Sequence, residues 1–187
     1  MKKNKNVRVI YAAVLALAIA GFFLYNYALS VYYKVDYTEY VEKYCEQYNL
    51  DVSLVYAVIK CESSFNTDAK SPKDAYGLMQ IKKTTMDWVA TKIPVPKEEL
   101  SVERLYEPEF NIMIGTHLLK MNLDTYGDEE TALAAYNAGR GAVDGWLKDS
   151  RFSQDGKLIK IPYPETQKYV ERVKKAKEYY QKKDGKK

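Results

Sequence analysis

The chain has 187 residues, and its apolar content of 47% suits one globular domain with an appendage. Its net charge of +4 is too small to indicate a nucleic-acid partner, and no basic stripe with interleaved aromatic residues supports one. One histidine and two separated cysteines do not make a metal-ligand set, and no phosphate-binding loop is present. We therefore predict no metal and no cofactor.

The N-terminal region predicts a membrane span. Basic residues crowd the start of the chain, and an apolar run of 21 residues from Val9 to Leu29 follows, interrupted only by Asn26 and tyrosines. A helix needs ~20 residues to cross a bilayer. The charges after the run are of mixed sign, so the positive-inside bias predicts a cytoplasmic N-terminus and an extracytoplasmic chain after Tyr33. Residues 1–33 are accordingly assigned to a basic tail and a transmembrane signal-anchor.

A cleavable signal peptide is the alternative for this segment. Ala18-Ile19-Ala20 before Gly21 has the small-residue pattern of a cleavage site. The apolar run continues past that point through Phe22 and Leu24, which favours a retained anchor.

Two helices are predicted next, at residues 36–48 and 52–62, and Asp51 is the expected N-cap of the second. Cys45 lies in the first helix and Cys61 near the end of the second. In a hairpin of this length the two are offset by six residues, or ~9 Å along the axis. Adding an interaxial gap of ~8–10 Å exceeds the ~7 Å Cα limit for a disulfide. We therefore expect two unbridged thiols.

The second helix carries a carboxylate on an apolar face. Glu62 stands at helical spacing from four apolar residues of the same helix, which are Leu54, Val55, Val58 and Ile59. An ionised carboxylate on such a face is costly, so its pKa should rise. A carboxyl that stays protonated near neutral pH suits a general acid. For an isolated residue, a partly exposed Glu at a helix end would be the simpler interpretation.

The rest of the chain reads as a helical domain from residue 36 to 180, followed by a basic tail at 181–187. After a polar loop over residues 63–76, further helices are predicted at about 84–90, 108–125, 129–138, 140–148 and 165–180. Two prolines make residues 93–96 extended, and Asp155-Gly156 is typical of a turn. His117 lies on the apolar face of the long helix, which indicates packing rather than catalysis.

Two motifs near the second helix resemble a known family. Residues 62–66 read Glu-Ser-Ser-Phe-Asn, and residues 75–81 read Ala-Tyr-Gly-Leu-Met-Gln-Ile. Together, at this spacing, they resemble the lytic transglycosylases of the goose-lysozyme-like superfamily. The resemblance runs from about residue 40 to 173.

Three later segments extend the resemblance. Residues 107–115 are similar to a third family motif, in which a glycine, here Gly115, lets two helices approach each other. Residues 134–139 read Ala-Ala-Tyr-Asn-Ala-Gly, and residues 161–170 match the final motif of the family.

The resemblance implies a mainly α, lysozyme-like helical domain carried by the N-terminal transmembrane helix. It implies a peptidoglycan lytic transglycosylase that acts on glycan strands and cleaves the β-1,4 bond between N-acetylmuramic acid and N-acetylglucosamine. Glu62 would be the catalytic acid and then the base. The residues implied to hold the sugars and to orient this acid are Ser71, Gln80, Tyr136, Asn137, Glu165 and Tyr169.

The sequence departs from the family pattern at four positions. The family usually has Pro where Thr67, Lys83 and Arg140 stand, and Gly where Asp74 stands. These departures leave loop rigidity and substrate preference open. A hydrolytic muramidase that uses Asp74 to activate water is one alternative function. A wall-binding scaffold of a membrane apparatus is another, and the presence of Glu62 argues against it.

Overall fold

The computed structural model describes residues 2–184, and the C-terminal end of the predicted tail lies outside them. The chain separates into two compact units at the junction between Lys34 and Val35. The first unit holds one helix, α1 (Lys2–Tyr32). Its stretch Val7–Tyr32 has a mean hydropathy of 2.3 and is long and apolar enough to cross a membrane, a test that a signal sequence also passes.

As far as residue 184, where the described part ends, the second unit is built mainly from seven helices. They are α2 (Thr38–Tyr48), α3 (Val52–Glu62), α4 (Lys83–Val89), α5 (Pro108–Tyr126), α6 (Glu129–Ala138), α7 (Arg140–Leu147) and α8 (Pro164–Asp184). The predicted helices agree with these bounds to within a few residues, apart from the last. That helix continues to Asp184, so much of the predicted basic tail belongs to α8.

Short hairpins and 3₁₀ turns connect the helices. Strand β1 (Ala75–Tyr76) pairs antiparallel with β2 (Ile81–Lys82), and β3 (Ser153–Gln154) pairs in the same way with β4 (Lys157–Leu158). The 3₁₀ turns are Lys97–Glu99 and Glu103–Tyr106. Asp155 and Gly156 have φ angles of 51° and 75°, which confirms the predicted turn between β3 and β4. Strands of two residues depend on such turns rather than on β propensity.

Helix α3 is the centre of the second unit. The Asp51 carboxylate accepts a hydrogen bond of 2.8 Å from the Ser53 N–H, which confirms the predicted N-cap. Every residue from Ser53 to Ile59 is buried, so the helix is covered on all sides. The sequence analysis predicted a single buried face, which was an underestimate because neighbouring helices also cover the other side.

Helix α8 runs antiparallel to α3 along its length. Near one end, the Gln181 amide donates to the Asp51 carboxylate at 3.0 Å. At mid-length, the rings of Tyr56 and Tyr180 lie 5.5 Å apart. At the other end, the Tyr169 hydroxyl acts on the Glu62 carboxyl. Glu62 therefore lies between the C-terminal end of α3 and the first turns of α8.

Helices α2 and α5 pack side by side in the same direction. Lys43 pairs with Glu109 at 2.6 Å, and the ring centroids of Tyr48 and His117 lie 4.9 Å apart. Within the part of the chain that the structure describes, neither ring nitrogen of His117 has a hydrogen-bond partner, and burial lowers the pKa of the imidazole. These contacts agree with the packing role predicted for His117.

Both cysteines are free thiols, as predicted. Cys45 is buried, and Cys61 is half-buried beside Glu62 in the chain. Burial raises the pKa of Cys45 to about 12 and that of Cys61 to about 11. Both sulfurs are therefore protonated at neutral pH and are weak nucleophiles.

Three of the four departures from the family pattern have a simple backbone explanation. Lys83 and Arg140 are the first residues of α4 and α7, a position that favours proline without requiring it. Asp74 has a φ of 53°, a left-handed conformation that glycine adopts freely and that Asp tolerates better than most residues.

Candidate active site

Glu62 is the last residue of α3 and is half-buried. Burial raises the pKa of its carboxyl from 4.5 to about 7. Two neighbours on α8 oppose this shift, because the Tyr169 hydroxyl and the Arg172 guanidinium both favour the ionised form. The carboxyl can therefore give up a proton near neutral pH and is stabilised as an anion once it has done so.

Tyr136 and Tyr169 converge on this carboxyl from α6 and α8. Burial and, to a smaller extent, the charge of Glu62 raise the pKa of both phenols well above the usual value, so both remain protonated donors. The Tyr136 hydroxyl donates to the Met79 carbonyl at 2.8 Å. The Tyr169 hydroxyl makes no hydrogen bond of standard geometry among the described residues, although it lowers the Glu62 pKa as a donor. Loose contacts of this kind are common in active sites before substrate binds.

The turn at residues 77–80 is tied to α5 by the buried side chain of Asn111. The Asn111 amide oxygen accepts from the Met79 N–H at 2.7 Å, and its amide nitrogen donates to the carbonyls of Tyr76 and Leu105 at 2.9 and 2.6 Å. The Ser63 hydroxyl donates to the Leu78 carbonyl at 2.8 Å. The turn is therefore fastened both to α5 and to the residue that follows Glu62.

Two glycines allow the turn to approach α5 this closely. A Cβ on Gly77 would lie 2.1 Å from the Leu105 carbonyl oxygen, and Gly77 also has a φ of 72°. A Cβ on Gly115 would lie 2.5 Å from the Met79 sulfur. The expectation that Gly115 lets two helices approach needs correction, because the group that it admits is the Met79 side chain of the turn.

Ser71 and Gln80 each use some of their polar atoms in hydrogen bonds to nearby backbone groups. The Ser71 hydroxyl oxygen accepts from two backbone N–H groups at 3.1 and 3.2 Å. The Gln80 amide nitrogen donates to the carbonyls of Ala69 and Gly77 at 3.1 and 2.9 Å. The hydroxyl proton of Ser71 and the amide oxygen of Gln80 can still form hydrogen bonds with a ligand.

Asn137 lies at the end of α6, and Glu165 lies at the start of α8. The Asn137 amide oxygen accepts from the Thr166 hydroxyl at 2.8 Å. The Glu165 side chain is 74% exposed and pairs with Lys73 at 3.3 Å. Neither Glu165 nor Tyr136 is among the groups that shift the Glu62 pKa, whereas the Tyr169 hydroxyl lowers it. The substrate-binding roles of all six residues stay predictions.

The sequence analysis did not identify Arg172 as a residue that acts on Glu62. It also did not predict the hydrogen bonds by which Asn111 holds the turn at residues 77–80. Arg172 follows Tyr169 by three residues, so the helical spacing of α8 puts the two on one face and could have revealed it. Asn111 belongs to the third family motif, but its hydrogen bonds could not be read from the sequence, because two of its three partners are 32 and 35 residues away.

The surroundings of Asp74 argue against the alternative role predicted for it, the activation of water in a hydrolase. Its side chain is 72% exposed, lies 3.4 Å from the Lys70 ammonium and accepts from the Tyr76 hydroxyl at 3.3 Å. No carboxylate is among the groups that shift the Glu62 pKa. Across residues 2–184 no cluster of three potential metal ligands is found.

A groove of about 330 Å³ lies beside Tyr136. Its lining includes Thr84, Thr85, Trp88, Leu118, Tyr136 and Arg140. Tyr136, whose pKa is raised by burial and by the charge of Glu62, is part of this lining.

Comparison with known proteins identifies relatives of the chain. It is 34% identical over 151 residues to the soluble lytic murein transglycosylase of Salmonella typhimurium, covering 79% of this chain and 23% of that protein. It is 35% identical over 115 residues to the membrane-bound lytic murein transglycosylase C of Sodalis glossinidius, covering 57% and 32%. The chain thus spans about a quarter to a third of the length of these relatives.

A solved structure confirms the fold. An inactive mutant of the lytic transglycosylase Slt from Pseudomonas aeruginosa matches with a TM-score of 0.75 and 31% identity, over 84% of this chain and 26% of that one. The predicted mainly α, lysozyme-like architecture is therefore confirmed.

The family model described as "Transglycosylase SLT domain" matches residues 39–159, which is more than half of the chain. The matched segment holds Glu62, the clamped turn and Tyr136, and it ends before α8 supplies Tyr169 and Arg172. The chain belongs to the transglycosylase SLT domain family.

Proposed function

We propose that this chain is a peptidoglycan lytic transglycosylase. It cleaves the β-1,4 bond between N-acetylmuramic acid and N-acetylglucosamine and leaves a 1,6-anhydro ring on the muramic acid. The observation that carries this proposal is one half-buried carboxyl, Glu62, with a pKa raised to about 7 and with Tyr136 and Tyr169 beside it. Among the described residues no second carboxylate is coupled to it, which suits a reaction in which one group acts twice.

In the first step, protonated Glu62 donates its proton to the glycosidic oxygen while the bond from that oxygen to muramic C1 breaks. The N-acetylglucosamine side leaves as an alcohol, and positive charge develops at C1. Glu62 is now a carboxylate, and Tyr169 and Arg172 stabilise it because both favour the ionised form. Among the described residues, no carboxylate shifts the Glu62 pKa, so the substrate acetamido group is the candidate to stabilise C1.

In the second step, the Glu62 carboxylate removes the proton of the muramic C6 hydroxyl. The oxygen attacks C1 and closes the anhydro ring, so Glu62 regains its proton and no water is consumed. The nucleophile is tethered to the reacting carbon, which gives it an entropic advantage over water. Ser71, Gln80, Asn137 and Glu165 are proposed to bind the sugars around this centre.

A water-activating carboxylate is what a hydrolytic muramidase of inverting geometry would need, ~6.5–9.5 Å from the acid. Asp74, the candidate for that role, is exposed and engaged by Lys70 and Tyr76. A scaffold that only binds the wall would have no use for a half-buried carboxyl with a raised pKa. Both alternatives are therefore less well supported than the transglycosylase.

We propose that α1 anchors this activity in the membrane. Its length and apolar composition support an anchor, as does the name of one relative, a membrane-bound transglycosylase. The excess of Lys and Arg before the span supports a cytoplasmic N-terminus with the catalytic unit outside.

Replacing Glu62 by Gln keeps the size of the side chain but removes the transferable proton. We expect Glu62→Gln to lower turnover of purified peptidoglycan by at least ~10²–10⁴-fold, the usual loss when a general acid–base is removed. Folding should be intact, since the amide carries no buried charge at any pH. Glu46→Gln, at an exposed position of α2, is the matched control and should retain full turnover. Near-normal release of anhydro products by Glu62→Gln would reject the assignment.

Tyr169→Phe tests how the acid is tuned. The Tyr169 hydroxyl lowers the pKa of Glu62, so its removal should raise that pKa further. Catalysis needs the protonated acid and fails as pH rises through its pKa. The alkaline limb of the pH profile of kcat/KM, expected near pH 7 in the wild type, should therefore move to higher pH in the variant. An unmoved limb, or one moved to lower pH, would contradict this role of Tyr169.

Product analysis of Asp74→Asn separates the transglycosylase from the hydrolase. Asn tolerates the left-handed backbone at this position, so the fold should be preserved. We expect most activity to remain and mass spectrometry to find 1,6-anhydromuropeptides, lighter by one water than muramidase products. Reducing-end muropeptides as the main product, with activity lost in Asp74→Asn, would favour the hydrolase instead.

The proposed topology can be tested on intact cells that express the full chain. External protease should degrade the catalytic unit and spare an N-terminal fragment, because only the latter is cytoplasmic. A soluble product in the medium beginning at Gly21 would instead show that the apolar segment is a cleaved signal peptide.

A further inference from the structure

His117 lies in the contact between α5 and α2, and it is the single histidine of the chain. Its ring meets the Tyr48 ring edge-on, with 4.9 Å between the two centroids and 68° between the two planes. The residue as a whole is half-buried, but both ring nitrogens are shielded from solvent, and among residues 2–184 neither has a hydrogen-bond partner. A neutral imidazole leaves one buried N–H without an acceptor at this place. A protonated imidazole leaves two, together with a positive charge.

The surroundings of the ring offer little to stabilise that charge. The Asp124 carboxylate, two turns further along α5, favours the protonated form, but it is already paired with Lys120. Tyr48, the ionisable group that faces the ring from α2, stays neutral because burial raises the pKa of its phenol. In the described part of the chain no other ionisable group shifts the imidazole pKa, and burial outweighs Asp124, so this pKa is lowered. Protonated His117 is therefore stable only when the ring reaches water.

Helix α2 is the side of this contact that can move. Helix α5 is anchored to the turn at residues 77–80 by the three hydrogen bonds of Asn111. The ion pair between Lys43 of α2 and Glu109 of α5 is exposed, and pairs of this kind contribute little stability. The ring contact between Tyr48 and His117 therefore contributes much of the attraction between α5 and the last turn of α2, and it is weakened once the imidazole has to turn toward water.

We propose that His117 is an acid-sensitive latch, which holds α2 against α5 while the imidazole is neutral and releases the last turn of α2 when the imidazole is protonated. Helix α2 also contacts α3, where the Tyr56 hydroxyl donates to the Thr38 hydroxyl at 3.1 Å. Release of α2 on acidification therefore weakens the cover of the helix that ends in Glu62. The latch is a property of the fold and does not depend on which bond the enzyme cleaves.

The latch and Glu62 respond to pH in opposite directions. The raised pKa of Glu62 means that its ionised form is disfavoured in the fold, so acidification favours the folded state at this residue. The lowered pKa of His117 has the reverse effect. The stability contributed by the neutral ring is present above the unfolded value of about 6.5 and is lost as pH falls through the folded value. The two contributions partly cancel, so a variant that removes the histidine is needed to reveal the latch.

The first measurement is the titration of His117 itself, in the full-length protein in detergent micelles. Because the chain has one histidine, the imidazole C–H signals in an NMR spectrum of histidine-labelled protein are unambiguous. We expect a midpoint below about 6.5, the value of a solvated imidazole. A midpoint at or above that value would overturn the proposal, because the ring would then become charged without leaving its place.

The second measurement compares the wild type with His117→Phe, which keeps a ring against Tyr48 but cannot be protonated. Between about pH 7.5 and about pH 5, on either side of the unfolded pKa, the melting temperature of the wild type should fall relative to that of the variant by about 2–4 °C or more. Met121→Leu, on the same face of α5, keeps the histidine and is the matched control, so it should follow the wild type. Equal pH responses of the wild type and His117→Phe would show that the ring is no latch.

Amide hydrogen exchange shows which helix loosens. After correction for the intrinsic effect of pH on exchange, the amides of α2 in the wild type should lose about tenfold protection between the same two pH values, and those of His117→Phe should not. Unchanged protection of α2, or a loss that His117→Phe shares, would contradict the proposal even if the melting temperatures differed. If His117→Phe does not fold, the NMR midpoint and the exchange of α2 in the wild type decide the proposal by the same criteria.

Discussion

The buried amide of Asn111 holds together the parts of the structure on which the active site depends. Its three hydrogen bonds fasten the turn at residues 77–80 to α5 and satisfy backbone groups that would otherwise be buried without partners. Through that turn, the Met79 carbonyl receives the Tyr136 hydroxyl and the Leu78 carbonyl receives the Ser63 hydroxyl. The turn that Asn111 holds in place therefore also fixes the position of α6 and of the end of α3. Removing the amide would leave several buried groups unsatisfied at once, a larger loss than one hydrogen bond.

Placing Glu62 at the end of the most deeply buried helix has an energetic cost and a chemical use. A pKa shift from 4.5 to about 7 means that the ionised form is disfavoured by roughly 3 kcal/mol relative to water. The cost falls as the pH is lowered, so this residue contributes most stability below its unfolded pKa and loses that contribution as pH rises through about 7. Tyr169 and Arg172 limit the cost without removing it. The same balance makes Glu62 a proton donor in the first step of the proposed reaction and an acceptor in the second.

The acid and the groove share helix α6 and are otherwise built from different elements. Helices α3 and α8 surround the carboxyl, while α4, α5, α6 and α7 line the groove. Tyr136 alone is common to both.

Local sequence determined the bounds of most helices and made the family recognisable. Tertiary contacts decided how the residues of the candidate site are arranged. The bounds of α3, its Asp51 cap and the turn at Asp155 follow from propensities and capping, which act over a few residues. Glu62 was found because its neighbours in sequence carry both the apolar spacing and the motif. The cover on every side of α3, the seat of Met79 on Gly115 and the action of Arg172 on Glu62 arise between segments tens of residues apart. The exposure of Glu165 and the contact between Tyr48 and His117 have the same origin. No local pattern encodes such contacts, because each depends on which helices become neighbours once the chain has packed.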